Sequence, residues 1–175
     1  MTPRILAKTT ACIRTSLAAI LDGSSLILSA EASSQAAGPL ESALTASAIT
    51  LDETGTEIAT PATAIEPGGV IEYVLTYANV SGEPLGALAI NGPIPEQTRF
   101  LGGSASIDKN ANFEARAEGV DWSIPPLVRY EEDEQGVLQP EEVAPEEYAE
   151  IRWRFQDDLA PDETIQLTYR VLVEQ

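Results

Sequence analysis

The chain has 175 residues, enough for one domain with additional segments, and its 43% hydrophobic content is ordinary for a folded protein. Its charge is not ordinary: 10 basic against 28 acidic residues give a formal −18, a balance that repels nucleic-acid phosphates and anionic lipid headgroups. With no His and a single Cys, Cys12, the chain excludes an intrachain disulfide, a thiolate zinc site and His-dependent nucleophilic catalysis.

Residues 1–32 carry the three zones of a secretory signal. Arg4, Lys8 and Arg14 make a positive start, and Leu17–Ile20 and Leu26–Ala30 are apolar. Ala30-Glu31-Ala32 then has small residues at the two positions a signal peptidase reads, so cleavage is expected after Ala32. The alternative is a disordered or helical lead, which Asp22-Gly23 in the middle of the apolar zone would suit. The apolar zone is too short and too interrupted to span a bilayer, so no membrane insertion is expected. Cleavage would leave a Cys-free chain of net charge −19, located outside the cell, at its surface or in the periplasm.

Residues 33–47 form an Ala/Ser-rich extension whose only large apolar residues are Leu40 and Leu44. It reads as a weak helix or a flexible lead. No Gly or Pro occurs between Leu40 and Asp52, so the segment can also extend, with Leu44, Ala46, Ala48 and Thr50 on one face. An extended lead of this kind could add as a strand to the sheet edge of a second copy and so build a homopolymer. The other reading is a disordered leader on a self-contained monomer.

From residue 48 to 175 the pattern is that of strands separated by Gly/Pro punctuation. Glu57–Ile65 is an edge strand, because Pro61 is tolerated only at an edge or bulge. Pro67-Gly68-Gly69 launches Val70–Val80, with Ile71, Tyr73, Leu75 and Tyr77 on one face and an only slightly more polar second face, as in a central strand. Short apolar runs follow at Leu85–Ile90, Thr98–Leu101 and Ala105–Ile107. Residues 112–122 are irregular, anchored by Phe113, Val120 and Trp122. Tyr148–Phe155 sets Ala149, Ile151, Trp153 and Phe155 against Glu150, Arg152 and Arg154. Thr164–Glu174 alternates with Ile165, Leu167, Tyr169, Val171 and Val173 inward. The turn Asp157–Glu163 is of hairpin length. The sum is an all-β, immunoglobulin-like antiparallel sandwich of about seven to nine strands with an N-terminal extension.

These motifs resemble the immunoglobulin-like "conserved repeat" domain of bacterial surface proteins (the eleventh numbered domain of unknown function). The resemblance rests on Pro67-Gly68, Tyr73 with Tyr77 and Asn79, Leu88–Ile90, Pro93-Ile94-Pro95 and Gly103-Ser104. It continues through Tyr148–Trp153 and Leu159-Ala160-Pro161-Asp162, covers about Ser47 to Gln175, and departs at Asn91-Gly92, where many members have Asp. It implies a module usually strung in arrays, with no general reaction.

The carboxylate-dense stretch Tyr130–Glu147 offers Glu131, Glu132, Asp133 and Glu134 as candidate Ca²⁺ ligands, although it lacks the spacing of an EF-hand loop. A solvated loop between two strands is the plainer reading. Ser104, Ser106 and Ser123 have no His partner, and the aromatic residues fall mostly on inward phases. Asn79-Val80-Ser81 fits a glycosylation acceptor pattern, but Asn79 is better placed as a strand-end residue. A secreted, non-enzymatic structural or interaction subunit of a surface layer, matrix or filament is therefore expected, with itself or another surface protein as partner. The alternative is a cation- or glycan-binding module.

Overall fold

The computed structural model describes residues 38–175. The export-signal expectation for residues 1–32, and the first part of the Ala/Ser-rich extension, lie outside them. Twelve strands follow one another in this part: β1 (Leu40–Leu51), β2 (Glu57–Pro61), β3 (Val70–Asn79), β4 (Ala89–Gly92), β5 (Thr98–Phe100), β6 (Ser106–Ile107), β7 (Ala111–Ala117), β8 (Val120–Ser123), β9 (Leu127–Glu132), β10 (Leu138–Val143), β11 (Tyr148–Phe155) and β12 (Thr164–Val173). One sheet runs β2-β1-β3-β12-β5, with β6 also on β12; the other runs β4-β11-β7-β8; β9 and β10 pair only with each other. All pairings are antiparallel. The molecule is an all-β antiparallel sandwich with an appended hairpin.

Period-two alternation sets the core. On β3, Ile71, Tyr73, Leu75 and Tyr77 are buried, and they lie opposite Val171, Tyr169, Leu167 and Ile165 of β12. The second sheet contributes Ile90, Ala115, Ile151, Trp153 and Phe155. The rings of Trp153 and Tyr169 meet across the sandwich with centroids 5.8 Å apart, and Phe113 meets Trp153 edge-on at 5.7 Å. Gly92, on the inward phase of β4, lies beneath this cluster. A Cβ there would come within 3.0 Å of Ile151 and Trp153, so glycine at this position makes room for the indole.

Several expectations change. Residues 112–122, expected to be irregular, fall almost wholly in β7 and β8, because β11 offers β7 a continuous ladder and β8 pairs on β7 in turn. The strand count is twelve, because short strands and a separate hairpin add to the expected seven to nine. The sheet begins at Leu40, not Ala48: residues 40–49 of β1 pair along β3, so Leu40–Ser47 belongs to the sandwich. The Asp157–Glu163 connection is not a hairpin turn, because β11 and β12 lie in different sheets and the connection carries the chain between the layers. Within β11, Tyr148 is buried and Ala149 exposed, because the β7–β11 register shifts between Tyr148 and Glu150. Burying a Tyr that stacks on Phe100 at 5.9 Å gains far more than burying an Ala methyl, and the bulge permits it.

Candidate interaction surfaces

The carboxylate-dense stretch folds as the β9–β10 hairpin and its turn. Leu127 and Val143 face each other at its base and are buried, which fixes the phase of both strands. Arg129, Glu131, Gln139 and Glu141 share that phase. Arg129 gathers three carboxylates, with its Nε 2.9 Å from Glu131 and 3.2 Å from Glu141 and its Nη1 2.7 Å from Glu147. The hydrogen bond from Arg129 holds the Glu147 carboxyl below its usual range. The opposite phase presents Val128, Tyr130 and Leu138, which are 42%, 68% and 60% exposed, with Pro140 across from Tyr130. Glu132 and Glu142 stand on the same face, opposite Leu138 and Val128.

The four candidate Ca²⁺ ligands are thus dispersed. Glu131 faces Arg129, Glu132 takes the other side of the strand, and Glu134 is exposed in the turn. Asp133 accepts the backbone N–H groups of Gln135 and Val137, each at 2.9 Å, and the Gln139 side-chain amide at 3.1 Å. These bonds, that of Val137 foremost, lower its carboxyl pKa. Among the described residues no three acidic or Cys side chains come together as a metal site.

The second surface is the outer face of the smaller sheet. Ala115, Ala117, Ile151 and Trp153 point inward, so Glu114, Arg116, Arg152 and Arg154 point outward. Arg152 and Arg154 both donate to Glu114, and Arg116 donates to Glu150 on the neighbouring strand. Burial raises the Glu114 carboxyl pKa, but the bonds from Arg154 and Arg152 outweigh it and leave the pKa lowered. The Trp122 ring lies under the Arg152 guanidinium at 4.0 Å and within 5.6 Å of that of Arg116. Trp122 is half-buried on this outer face, whereas Trp153, Tyr73, Tyr77 and Tyr169 lie in the core. Sequence reasoning missed this cluster, since its members are up to 40 residues apart in the chain.

The strand-addition residues Leu44, Ala46, Ala48 and Thr50 lie along β1, opposite Leu75, Tyr73 and Ile71 of β3 and, for Thr50, Ile58 of β2. In this chain they are part of its own sheet, with Ala46 buried. A cleft of about 400 Å³ opens where the sheets part, floored by the stacked rings of Phe100, Phe113 and Tyr148 and rimmed by Ile124, Pro125 and Pro145. Among the described residues no helix is long and apolar enough to cross a membrane. Comparison of the chain with protein-family models, curated proteins and solved structures finds no match.

Proposed function

We propose that the protein is an exported, non-enzymatic β-sandwich subunit that works by interaction, within a bacterial surface layer, matrix or filament. The observation that carries this reading is the outward face of the β9–β10 hairpin. Val128, Tyr130 and Leu138 are large apolar side chains held on a paired scaffold, yet they cover none of the core. Apolar surface grouped in this way on a solvated element serves contact with another molecule. The resemblance of Ser47–Gln175 to surface-protein repeats and the signal-like residues 1–32 support the same reading.

Gold-labelled antibody on intact native cells, with intact-mass measurement of the recovered protein, tests it. Label outside the cell and a first residue within a few positions of Ser33 are expected. A cytoplasmic protein that retains Met1 would overturn the extracellular assignment.

A further inference from the structure

We infer that the apolar ridge of the β9–β10 hairpin in one copy seats on the Arg/Trp face of the smaller sheet in a second copy; this rests on the reading of the protein as an interaction subunit. The argument is charge complementarity. Of the ten cationic residues, Arg4, Lys8 and Arg14 precede the described part, which holds the remaining seven together with 26 of the 28 acidic ones. Three of those seven, Arg116, Arg152 and Arg154, stand on one face, where Glu114 and Glu150 pair with them and Asp121 lies near Arg116. Over most of its surface a second copy would meet the hairpin with like charge. Here it offers cations, and the side chains of Arg116 and Arg154 are 44% and 48% exposed. Trp122 lies against Arg152 and Arg116 and supplies apolar area to match Tyr130, Leu138 and Val128. Glu132 and Glu142 flank the ridge and bring carboxylates to a face that carries the exposed Arg116 and Arg154. Such pairing chooses the partner surface, while the buried aromatic area supplies the attraction.

Ridge and face share no residue, so a copy whose face is filled still presents its ridge. The contact is head-to-tail, and a head-to-tail contact that does not close on itself grows into a chain. No strand needs to leave its own sheet.

Sedimentation velocity of the protein purified from its host, over a range of concentration and salt, tests this directly. The wild type should gain mass with concentration, and high salt should weaken that gain without abolishing it. Two variants separate the surfaces: R116E/R154E reverses the face and E132K/E142K reverses the ridge. Each alone should weaken association about tenfold or more, because each then opposes like charges. Mixed together they should associate again, since the Lys ridge meets the Glu face and the wild-type ridge meets the wild-type face. Far-ultraviolet circular dichroism and melting temperature confirm that both variants fold. A wild type that stays monomeric at high concentration in low salt overturns the inference, as does association that neither reversal weakens or that mixing fails to restore. Association indifferent to both reversals leaves the interaction reading standing and removes only this interface. A cytoplasmic Met1 protein removes the extracellular reading whatever the sedimentation shows.

Discussion

The side-chain amide of Asn79, at the end of β3, donates to the main-chain carbonyl of Leu159 at 2.9 Å, joining positions 80 residues apart. The same Nδ2 reaches the carbonyls of Glu83 at 2.8 Å and Ala160 at 3.0 Å, and Oδ1 accepts from the backbone and hydroxyl of Ser81. An amide has two protons, so the three acceptors share them. The backbone of Asn79 adds bonds to Glu163 and Asp162. Asn79 therefore ties together three pieces of chain: the last residue of a core strand, the turn after it, and the connection that carries the chain between the sheets. It is fully buried, so the Asn79-Val80-Ser81 pattern offers no side chain to a glycosylating enzyme in the folded state.

Asn79→Ala should cost about 3 kcal/mol, as the buried carbonyl of Leu159 and the part-buried carbonyls of Glu83 and Ala160 all lose a partner. Ser81→Ala, which leaves those carbonyls satisfied, should cost nearer 1 kcal/mol. Urea denaturation of both variants gives the comparison. Equal losses would mean that Asn79 merely ends a strand.

What could be read in advance follows from side-chain size. Strands β3 and β12 alternate large apolar residues without interruption, so their inner faces were legible. Ala149 continued such an alternation on paper, yet Tyr148 takes the buried place through a bulge that no periodicity reveals. Leu40–Ser47 is poor in large residues and reads as a leader; it is a strand because β3 offers it a backbone ladder, a partner that lies some 30 residues on. Turn length could not distinguish a hairpin at Asp157–Glu163 from a crossing between sheets, since both need Pro and polar residues. The Arg/Trp face was illegible for a different reason: its register brings Glu114, Trp122 and Arg152 together only after three strands pair.

Trp153→Ala should cost about 3–5 kcal/mol, the range for truncating a large buried aromatic. Trp153 is 1% exposed and touches ring systems in both layers, so neither sheet can close the cavity alone. A loss below about 1 kcal/mol in guanidinium denaturation would contradict its place between the sheets.

High pH should unfold the protein through its core phenols. Burial pushes the Tyr73 and Tyr77 hydroxyls up from 10.0 to about 12, and Tyr169 also upward. In the unfolded chain these groups ionise near 10, so the unfolded state loses protons first as the pH rises. Their contribution is complete below about pH 10 and is lost towards pH 12. In a Tyr130→Phe background, which removes the exposed ring, phenolate absorbance and circular dichroism should therefore change together in that window, and adding Tyr73→Phe/Tyr77→Phe should move the midpoint upward. Phenolate appearing well before any loss of structure would show that these rings are open to solvent.

Calcium should leave the melting temperature unchanged, and a chelator should do the same. The reason lies in how Asp133 is used. Its carboxylate closes the hairpin turn through Gln135, Val137 and Gln139, while Gly136 supplies the left-handed residue, φ 75°, that the turn requires. A cation drawing on Asp133 would compete with those bonds, and Glu131 would have to leave Arg129 to join it. Any ion that binds the native state would raise stability by mass action, so a shift of several degrees on adding Ca²⁺ would restore the metal reading. Asp133→Asn separates the two roles. An Asn side chain still accepts the turn's N–H groups, so the hairpin should persist, whereas a carboxylate metal site would lose its ion. Melting curves of wild type and Asp133→Asn, each with Ca²⁺ and with chelator, should therefore superimpose within each protein, and divergence only in the wild type would assign Asp133 to a cation instead of the turn.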